Sequence, residues 1–137
     1  DRAEPALFMR IDTVFDLAAQ DAFNHTVCCG VFNYKGPRRA VEHDGHVLSN
    51  LHALWNLTDV ALHVDFLAPD VDYKEPHLHY QSIHTLLNWM KPLDCRRWSI
   101  DRSYLPNEYC VHFYKDQERA PTVNGHASMF ARPVIRA

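Results

Sequence analysis

The chain has 137 residues, of which 47% are apolar and 23% are charged, and its formal net charge is −3. This length suits one domain with a real core. The negative charge gives no electrostatic case for nucleic acid or an anionic membrane as a partner. No apolar run approaches the roughly 20 residues that a membrane helix needs, and no signal peptide is visible.

The four cysteines, Cys28, Cys29, Cys95 and Cys110, form neither a CxxC pair nor a dense disulfide framework. We interpret them as reduced thiols of an intracellular protein. A bridge between Cys95 and Cys110 is the alternative. The cysteine pattern therefore favours a cytoplasmic location.

The first 42 residues contain two candidate strands. Residues 6–16 alternate in polarity, which favours a strand, although so short an apolar run could also be helical. Residues 26–34 are β-branched and aromatic, and they fit either a strand or an irregular arm. Residues 35–39 read Lys-Gly-Pro-Arg-Arg and predict a turn. We interpret its positive charge as that of a solvated connector.

Residues 43–76 carry two predicted helices and a strand. Apolar residues at three- and four-residue steps predict an amphipathic helix, and they are Val47, Leu48, Leu51, Leu54 and Trp55. Thr58 and Asp59 are candidate caps of a second, short helix. Pro69 would end that helix, and residues 71–73 predict a short strand before Pro76.

The remainder of the chain predicts one more helix and then strands. Helical spacing runs from Tyr80 to Met90. Residues 96–104, 109–114 and 127–136 predict three strands, with a tight turn at Asn124-Gly125. Helices followed by an antiparallel run of strands predict an α+β domain with helices on one sheet face.

Two pieces of sequence carry a family resemblance: Trp55-Asn56-x-x-Asp59, and residues 66–76, which read Phe-Leu-Ala-Pro-Asp-Val-Asp-Tyr-Lys-Glu-Pro. Their order and spacing resemble the opening of the NTF2-like superfamily, in its SnoaL-like and ketosteroid-isomerase-like branch. The resemblance implies a cone-shaped fold, with a curved antiparallel sheet packed on three helices around an apolar pocket. It also implies a homodimer built sheet to sheet.

The resemblance divides the chain into an N-terminal segment, residues 1–42, and an NTF2-like domain, residues 43–137. Family members end on a further strand, and residues 6–16 resemble that strand. We hypothesise that residues 6–16 pair with residues 127–136, within one chain or between two chains, so that one structural domain results. The alternative is an unrelated N-terminal arm.

Glu75 is the leading catalytic candidate. By the resemblance it occupies the position of a carboxylate that moves a proton at carbon, and such a group needs a partly dry site that raises its pKa. The alternative is a cap or salt bridge at a strand end. Steroid isomerisation is not expected, because Leu51 stands where the family has a tyrosine and residues 127–134 lack the matching acid.

Histidines supply the other candidates. His77 and His79 flank Leu78 and could bind zinc with a third ligand. We prefer a histidine as general base, so no metal is assigned. His112 could face the pocket with Asp101 or Arg102, the alternative being a surface histidine.

These candidates lead to two functional hypotheses. The first is a cofactor-independent SnoaL-like isomerase, cyclase or dehydratase for a small hydrophobic molecule, with Glu75 as general base assisted by His112, Asp101 or His79. The second is a non-catalytic ligand-binding or dimerisation module. Aromatic residues are candidates for core or substrate-binding wall, among them Trp55, Phe66, Tyr73, Trp98 and Tyr109. A buried Glu75 beside a second ionisable group would favour the enzyme, and an interior filled by aromatic side chains would favour the module.

Overall fold

A computed structural model describes residues 23–116. The elements, in chain order, are β1 (Phe23–Cys28), α1 (Ala40–Asn56), β2 (Thr58–Leu67), α2 (Ile83–Met90), a 3-10 helix (Lys91–Leu93), β3 (Arg97–Asp101) and β4 (Glu108–Tyr114). The predicted strands at residues 6–16 and 127–136, and the proposed pairing between them, lie outside the described residues.

The four strands form one mixed sheet in the order β1-β2-β4-β3. The central strand β2 runs parallel to β1 and antiparallel to β4. The prediction of an α+β fold is confirmed, but the expectation of a purely antiparallel sheet is wrong for these strands. The reason is α1, which returns the chain so that β2 runs in the direction of β1.

The second predicted helix is wrong, because residues Thr58–Leu67 form β2. Thr58 does not cap a helix start. Its hydroxyl donates to the carbonyl oxygen of Leu54 at 2.6 Å, at the end of α1. Apolar and polar residues alternate from Leu62 to Phe66, and every second side chain is fully buried. This alternation suits a strand that faces a core on one side.

The short strand predicted at residues 71–73 is also wrong, since these residues belong to a loop between β2 and α2. Two prolines in this loop, Pro69 and Pro76, lack the N–H that a strand would donate. The next predicted helix begins at Ile83 instead of Tyr80. Ser82 caps it, accepting a hydrogen bond from the Thr85 backbone N–H at 3.4 Å. The strands predicted at residues 96–104 and 109–114 are confirmed as β3 and β4.

The core lies between α1, α2 and one face of the sheet. Helix α1 buries the face that the sequence predicted, including Val47, Leu51 and Trp55. The sheet contributes side chains that are fully buried, namely Leu62, Val64, Phe66, Tyr109, Val111 and Phe113. Phe32, from the loop after β1, stacks on Phe66 with ring centroids 6.0 Å apart. Aromatic side chains thus occupy the space between the helices and the sheet.

Strand β1 and Phe32 belong to this same sheet and core, although both precede residue 43. Within residues 23–116, neither helix is both long enough and apolar enough to cross a membrane.

We predict that Phe66→Ala lowers the free energy of unfolding by about 3–5 kcal/mol, because the side chain is fully buried and its loss leaves a cavity. Urea denaturation would measure the change. Tyr73→Ala is the control, since Tyr73 is 72% exposed, and it should change stability by no more than about 0.5 kcal/mol. Equal losses in the two variants would contradict the packing described here.

Candidate functional site

Three histidines form a row across the sheet face that α1 and α2 leave uncovered. We call His25 of β1, His63 of β2 and His112 of β4 the histidine row. His63 is the direct cross-strand partner of His112, and its partner on β1 is Val27, two residues beyond His25. Because side chains alternate across a strand, these positions project from the same face.

The row is joined by two hydrogen bonds. His25 Nδ1 lies 3.1 Å from His63 Nε2, and the two rings are stacked with centroids 5.4 Å apart. On its other side, His63 Nδ1 lies 2.7 Å from His112 Nδ1. Both ring nitrogens of His63 are therefore engaged, each by a different neighbour.

This geometry limits how many protons the row can hold. A neutral imidazole has one N–H and one acceptor nitrogen. Three neutral rings can satisfy both hydrogen bonds if all donate in the same direction along the row. One added proton is tolerated, because a cationic His63 donates on both sides. A second added proton would place N–H groups on both sides of one contact and break that hydrogen bond.

The surroundings of His63 disfavour even a single protonation of its ring. Burial lowers the pKa of His63, and the neighbouring charges of His112 and His25 lower it further. Desolvation disfavours the charged imidazolium, and like charges add to that effect. His63 is therefore a mainly neutral hydrogen-bonding group near pH 7.

A depression of about 190 Å³ adjoins the row on the same sheet face. We call it the sheet-face depression. Its walls come from β1, β2, β4 and the loop that precedes β4, and they include Val27, Cys29, His63, Asp65, Tyr104 and Cys110. Two polar groups, the His63 ring and the Asp65 carboxylate, thus lie among thiol, aliphatic and aromatic walls.

Asp65 fixes one wall of the sheet-face depression. Its Oδ1 accepts a hydrogen bond from the Gly30 backbone N–H at 2.6 Å. Gly30 has φ +66°, a conformation that glycine adopts readily. The bond holds the loop after β1 against β2, so the residues around Cys29 keep their place beside the row.

Two thiols and the phenol of the depression, those of Cys28, Cys110 and Tyr104, are neutral at pH 7. Burial raises the pKa of Cys28 to about 11 and of Tyr104 to about 12, and nearby Asp65 adds to both effects. Burial and Asp65 also raise the pKa of Cys110. Because the thiolate is the reactive form, Cys28 and Cys110 are unsuited to act as nucleophiles. All four cysteines of the chain are free thiols, so the alternative of a Cys95–Cys110 bridge is wrong.

Two predicted catalytic residues, Asp101 and His112, share the uncovered sheet face. Asp101 pairs with Cys110 on β4, two residues from His112. The Ser103 hydroxyl and backbone N–H donate to Asp101 Oδ1 at 2.6 and 2.8 Å. These hydrogen bonds lower the pKa of Asp101, with a smaller contribution from His112. Asp101 is thus an oriented carboxylate close to the row.

The other two predicted catalytic residues lie elsewhere. Glu75 is exposed in the loop between β2 and α2, and its backbone N–H donates to the Tyr80 hydroxyl at 2.9 Å. His79 is buried beside α1, with its ring 4.5 Å from that of His43. Neither residue adjoins the histidine row, so the four predicted catalytic residues do not converge.

The five aromatic residues predicted to bind substrate also lie in different places. Trp55, Phe66 and Tyr109 are buried in the core, where the Tyr109 hydroxyl donates to the Gln81 carbonyl oxygen at 2.7 Å. Tyr73 and Trp98 are exposed. These five residues do not line a common pocket, because Trp55, Phe66 and Tyr109 already fill the interior.

The two histidines that were candidates for a zinc site, His77 and His79, lie in different environments. His77 is exposed, whereas His79 is buried and its Nε2 donates to Gln81 Oε1 at 2.8 Å. Across residues 23–116, no group of three or more His, Cys, Asp or Glu side chains is arranged to hold a metal ion.

Sequence reasoning missed His25 and His63. The assignment of residues 58–67 to a helix removed His63 from any sheet face. The signal was present in the strict alternation Leu62-His63-Val64-Asp65-Phe66, which predicts a strand with His63 and Asp65 on the face opposite the core.

His43 is a third missed histidine, buried at the start of α1. Its Nε2 donates to the Phe32 carbonyl oxygen at 2.8 Å, so the neutral ring has an acceptor at Nδ1. That nitrogen is buried and has no hydrogen-bond partner among the described residues. Burial lowers the pKa of His43. The hydrogen bond to Phe32 raises it, and the charges of neighbouring groups, including His79 and Arg38, lower it further.

Comparison with known proteins gives no relative for this chain: no family model, no curated protein and no solved structure matches it. The NTF2-like resemblance accordingly stays a prediction that depends on the motif of residues 55–76.

We predict that His112→Asn raises the pKa of His63 toward its ordinary value of 6.5. The variant removes a neighbouring positive charge, and its amide oxygen can still accept from His63 Nδ1. Histidine ring resonances followed by NMR against pH would measure the shift. His84→Asn, on the exposed side of α2, is the control. An unchanged or lower pKa of His63 in His112→Asn would contradict the proposed coupling.

We further predict that acid weakens the fold partly through His43. Its folded-state pKa lies below 6.5, so the unfolded chain takes up the proton first. The contribution of neutral His43 is complete above pH 6.5 and is lost as the pH falls below that value. In His43→Gln, the urea midpoint should therefore fall less between pH 7.5 and 5 than in the parent chain. His84→Gln should retain the parent slope, and an unaltered slope in His43→Gln would refute the assignment.

Proposed function

We propose that this chain is a non-catalytic module that binds a small, largely apolar molecule in the sheet-face depression. The observation that carries the proposal is the composition of its walls, in which His63 and Asp65 are the polar groups among thiol, aliphatic and phenolic side chains. Such a combination of apolar walls and few polar anchors is typical of small-molecule sites.

The size of the depression limits the ligand. A volume of about 190 Å³ is below the roughly 300–1,000 Å³ of sites for drug-sized ligands. It is slightly above the engineered apolar cavity of about 150 Å³ that accepts benzene. The ligand we propose is therefore a single ring with a small polar substituent, which His63 or Asp65 would bind through a hydrogen bond.

The filled interior supports a module more than a conical enzyme pocket. Phe32, Phe66, Tyr109 and Phe113 are each no more than 1% exposed between the helices and the sheet. Glu75 is exposed on a loop, an environment that lacks the desolvation by which a carboxylate base is tuned. Within the proposal, Glu75 is therefore assigned no chemical role.

A second candidate function is acid–base catalysis at the same surface. Asp101 lies near His112, and His112 is hydrogen-bonded to His63. A neutral histidine that is oriented by neighbours can accept a proton from a bound molecule. In this alternative His112 is the base, Asp101 is the carboxylate close to it, and His63 relays the proton along the row.

We also propose a distant membership of the NTF2-like superfamily, supported by the motif and by the α+β class with helices on one sheet face. On this proposal two copies of the chain would form a homodimer, as is common in the superfamily. The free thiols support a cytoplasmic location, where thiols stay reduced.

Binding of p-cresol, a single ring with one hydroxyl, tests the proposed site. We predict that p-cresol shifts the NMR resonances of His63 and Val27, and that Cys110→Phe abolishes these shifts by filling the sheet-face depression. Ser99→Phe is the control, because it adds the same ring to the same sheet face outside the depression, and it should preserve the shifts.

Thermal unfolding would first establish that both variants are folded. If p-cresol leaves His63 and Val27 unaffected in the parent chain, or binds Cys110→Phe as well as the parent, the proposed site is wrong. If binding holds and His112→Asn then abolishes turnover of an identified ligand, the catalytic alternative replaces the non-catalytic one.

A further inference from the structure

A separate concave surface lies between the loop that precedes α1 and the loop that precedes α2. Its volume is about 460 Å³, and its walls include Tyr34, Lys35, Arg38, Pro76 and His77. We call it the basic cleft. We propose that the basic cleft binds a phosphorylated small molecule that carries a flat ring, such as a nucleoside monophosphate.

Backbone hydrogen bonds hold the two walls of the basic cleft together. The N–H groups of Lys35 and Gly36 both donate to the His77 carbonyl oxygen, at 2.9 and 3.0 Å. Tyr34 and Leu78 form an isolated antiparallel bridge beside them. The side chains that line the cleft are thus carried on a paired backbone, so the site needs little ordering when a ligand binds.

The charged side chains that line the basic cleft are all positive. Lys35 and Arg38 are cationic, His77 can become so, and no acidic residue is among the residues that line it. Within residues 23–116, neither Lys35 nor Arg38 forms an ion pair, whereas the adjacent Arg39 pairs with Glu42 at 2.8 Å. The Lys35 ammonium donates to the Pro76 carbonyl oxygen at 2.5 Å, which places it at the wall without neutralising it.

These cations suit a phosphate group. A guanidinium can donate two parallel hydrogen bonds to phosphate oxygens, and an ammonium adds a compact charge. Lys35 and Arg38 are separated by Gly36 and Pro37 in a turn, and both line the same cleft. A dianionic phosphate would therefore meet two positive charges without having to displace a carboxylate.

Tyr34 is the reason why we propose a ligand with a flat ring. Its side chain is 65% exposed, and its ring passes so near Gly36 that a Cβ there would lie 3.2 Å from it. Gly36 also has φ +61°, which favours glycine. The ring therefore rests on the backbone at Gly36, and its exposed side is a platform for a nucleobase. The His77 ring lies 6.0 Å away, tilted by 56°.

A free mononucleotide fits better than a nucleic acid chain. The cleft volume lies within the roughly 300–1,000 Å³ typical of small-molecule sites. The net charge of −3 disfavours a polyanion, which needs an extended basic surface.

Ligand binding should be coupled to a histidine outside the cleft. The charge of Arg38 lowers the pKa of His46, in addition to the larger effect of burial. A phosphate on Arg38 would offset that charge, so the pKa of His46 should rise when the cleft is filled. This coupling gives a readout that does not depend on the affinity measurement.

Isothermal titration with AMP, adenosine and inorganic phosphate tests the inference. We expect AMP to bind at least about fivefold more tightly than phosphate, because stacking on Tyr34 adds to the charge contacts. Arg38→Gln and Lys35→Gln should each weaken AMP binding about three- to tenfold, and Tyr34→Ala should reduce AMP to the affinity of phosphate. Lys91→Gln, outside the cleft, is the control and should bind AMP like the parent chain.

Several outcomes would overturn the proposal. Unchanged AMP binding in Arg38→Gln and Lys35→Gln would exclude the cleft as the phosphate site. Equal affinity for AMP and phosphate in the parent chain would exclude the stacked ring. A six-nucleotide adenylate oligomer that binds more tightly than AMP would replace the mononucleotide with nucleic acid. A pKa of His46 that does not rise with AMP would exclude phosphate contact with Arg38.

Discussion

The pairing of β2 on both of its edges is the constraint on which the structure depends. One face of this strand places Leu62, Val64 and Phe66 in the core, and the other presents His63 and Asp65. Because side chains alternate, a shift of one residue against β4 would exchange the two faces. Burial of the apolar set therefore fixes the register, and the register brings His63 opposite His112.

The fold could be predicted from sequence wherever the local pattern had one interpretation. The buried face of α1 followed from apolar residues at helical steps, and β4 followed from the alternation of Tyr109, Val111 and Phe113. Residues 58–67 had two interpretations, since Val60, Val64 and Leu67 also fit a helical face. These residues form a strand because they pair with β1 and β4, and no local sequence pattern reveals that pairing.

The candidate site was harder to predict than the fold, because it depends on register between distant segments. His25, His63 and His112 are separated by 38 and 49 residues, so no sequence motif marks them. Asp101 and His112 were proposed together and do share a sheet face, because both lie on strands that the sequence indicated. Only the family resemblance predicts a role for Glu75, and its exposed loop position depends on a β2 that continues to Leu67.

The sheet-face depression and the basic cleft differ in the chemistry they offer. In the sheet-face depression the thiols of Cys28 and Cys110 and the phenol of Tyr104 are protonated and the imidazole of His63 is mainly neutral, so the depression suits an uncharged ring. The basic cleft has the cations of Lys35 and Arg38 around an exposed tyrosine, so it suits an anion. They share no lining residue.

The order of strands in the sheet also has a consequence for how the chain folds. β3 and β4 are joined by the short segment 102–107. The connection between β1 and β2 is longer because it contains α1, and the segment between β2 and β4 is longer still. Closing a short loop costs less entropy than closing a long one. We therefore expect the β3–β4 hairpin to be structured in the folding transition state and the docking of β1 to come late. Substitutions in the hairpin would then mainly slow folding, and those in β1 would mainly speed unfolding.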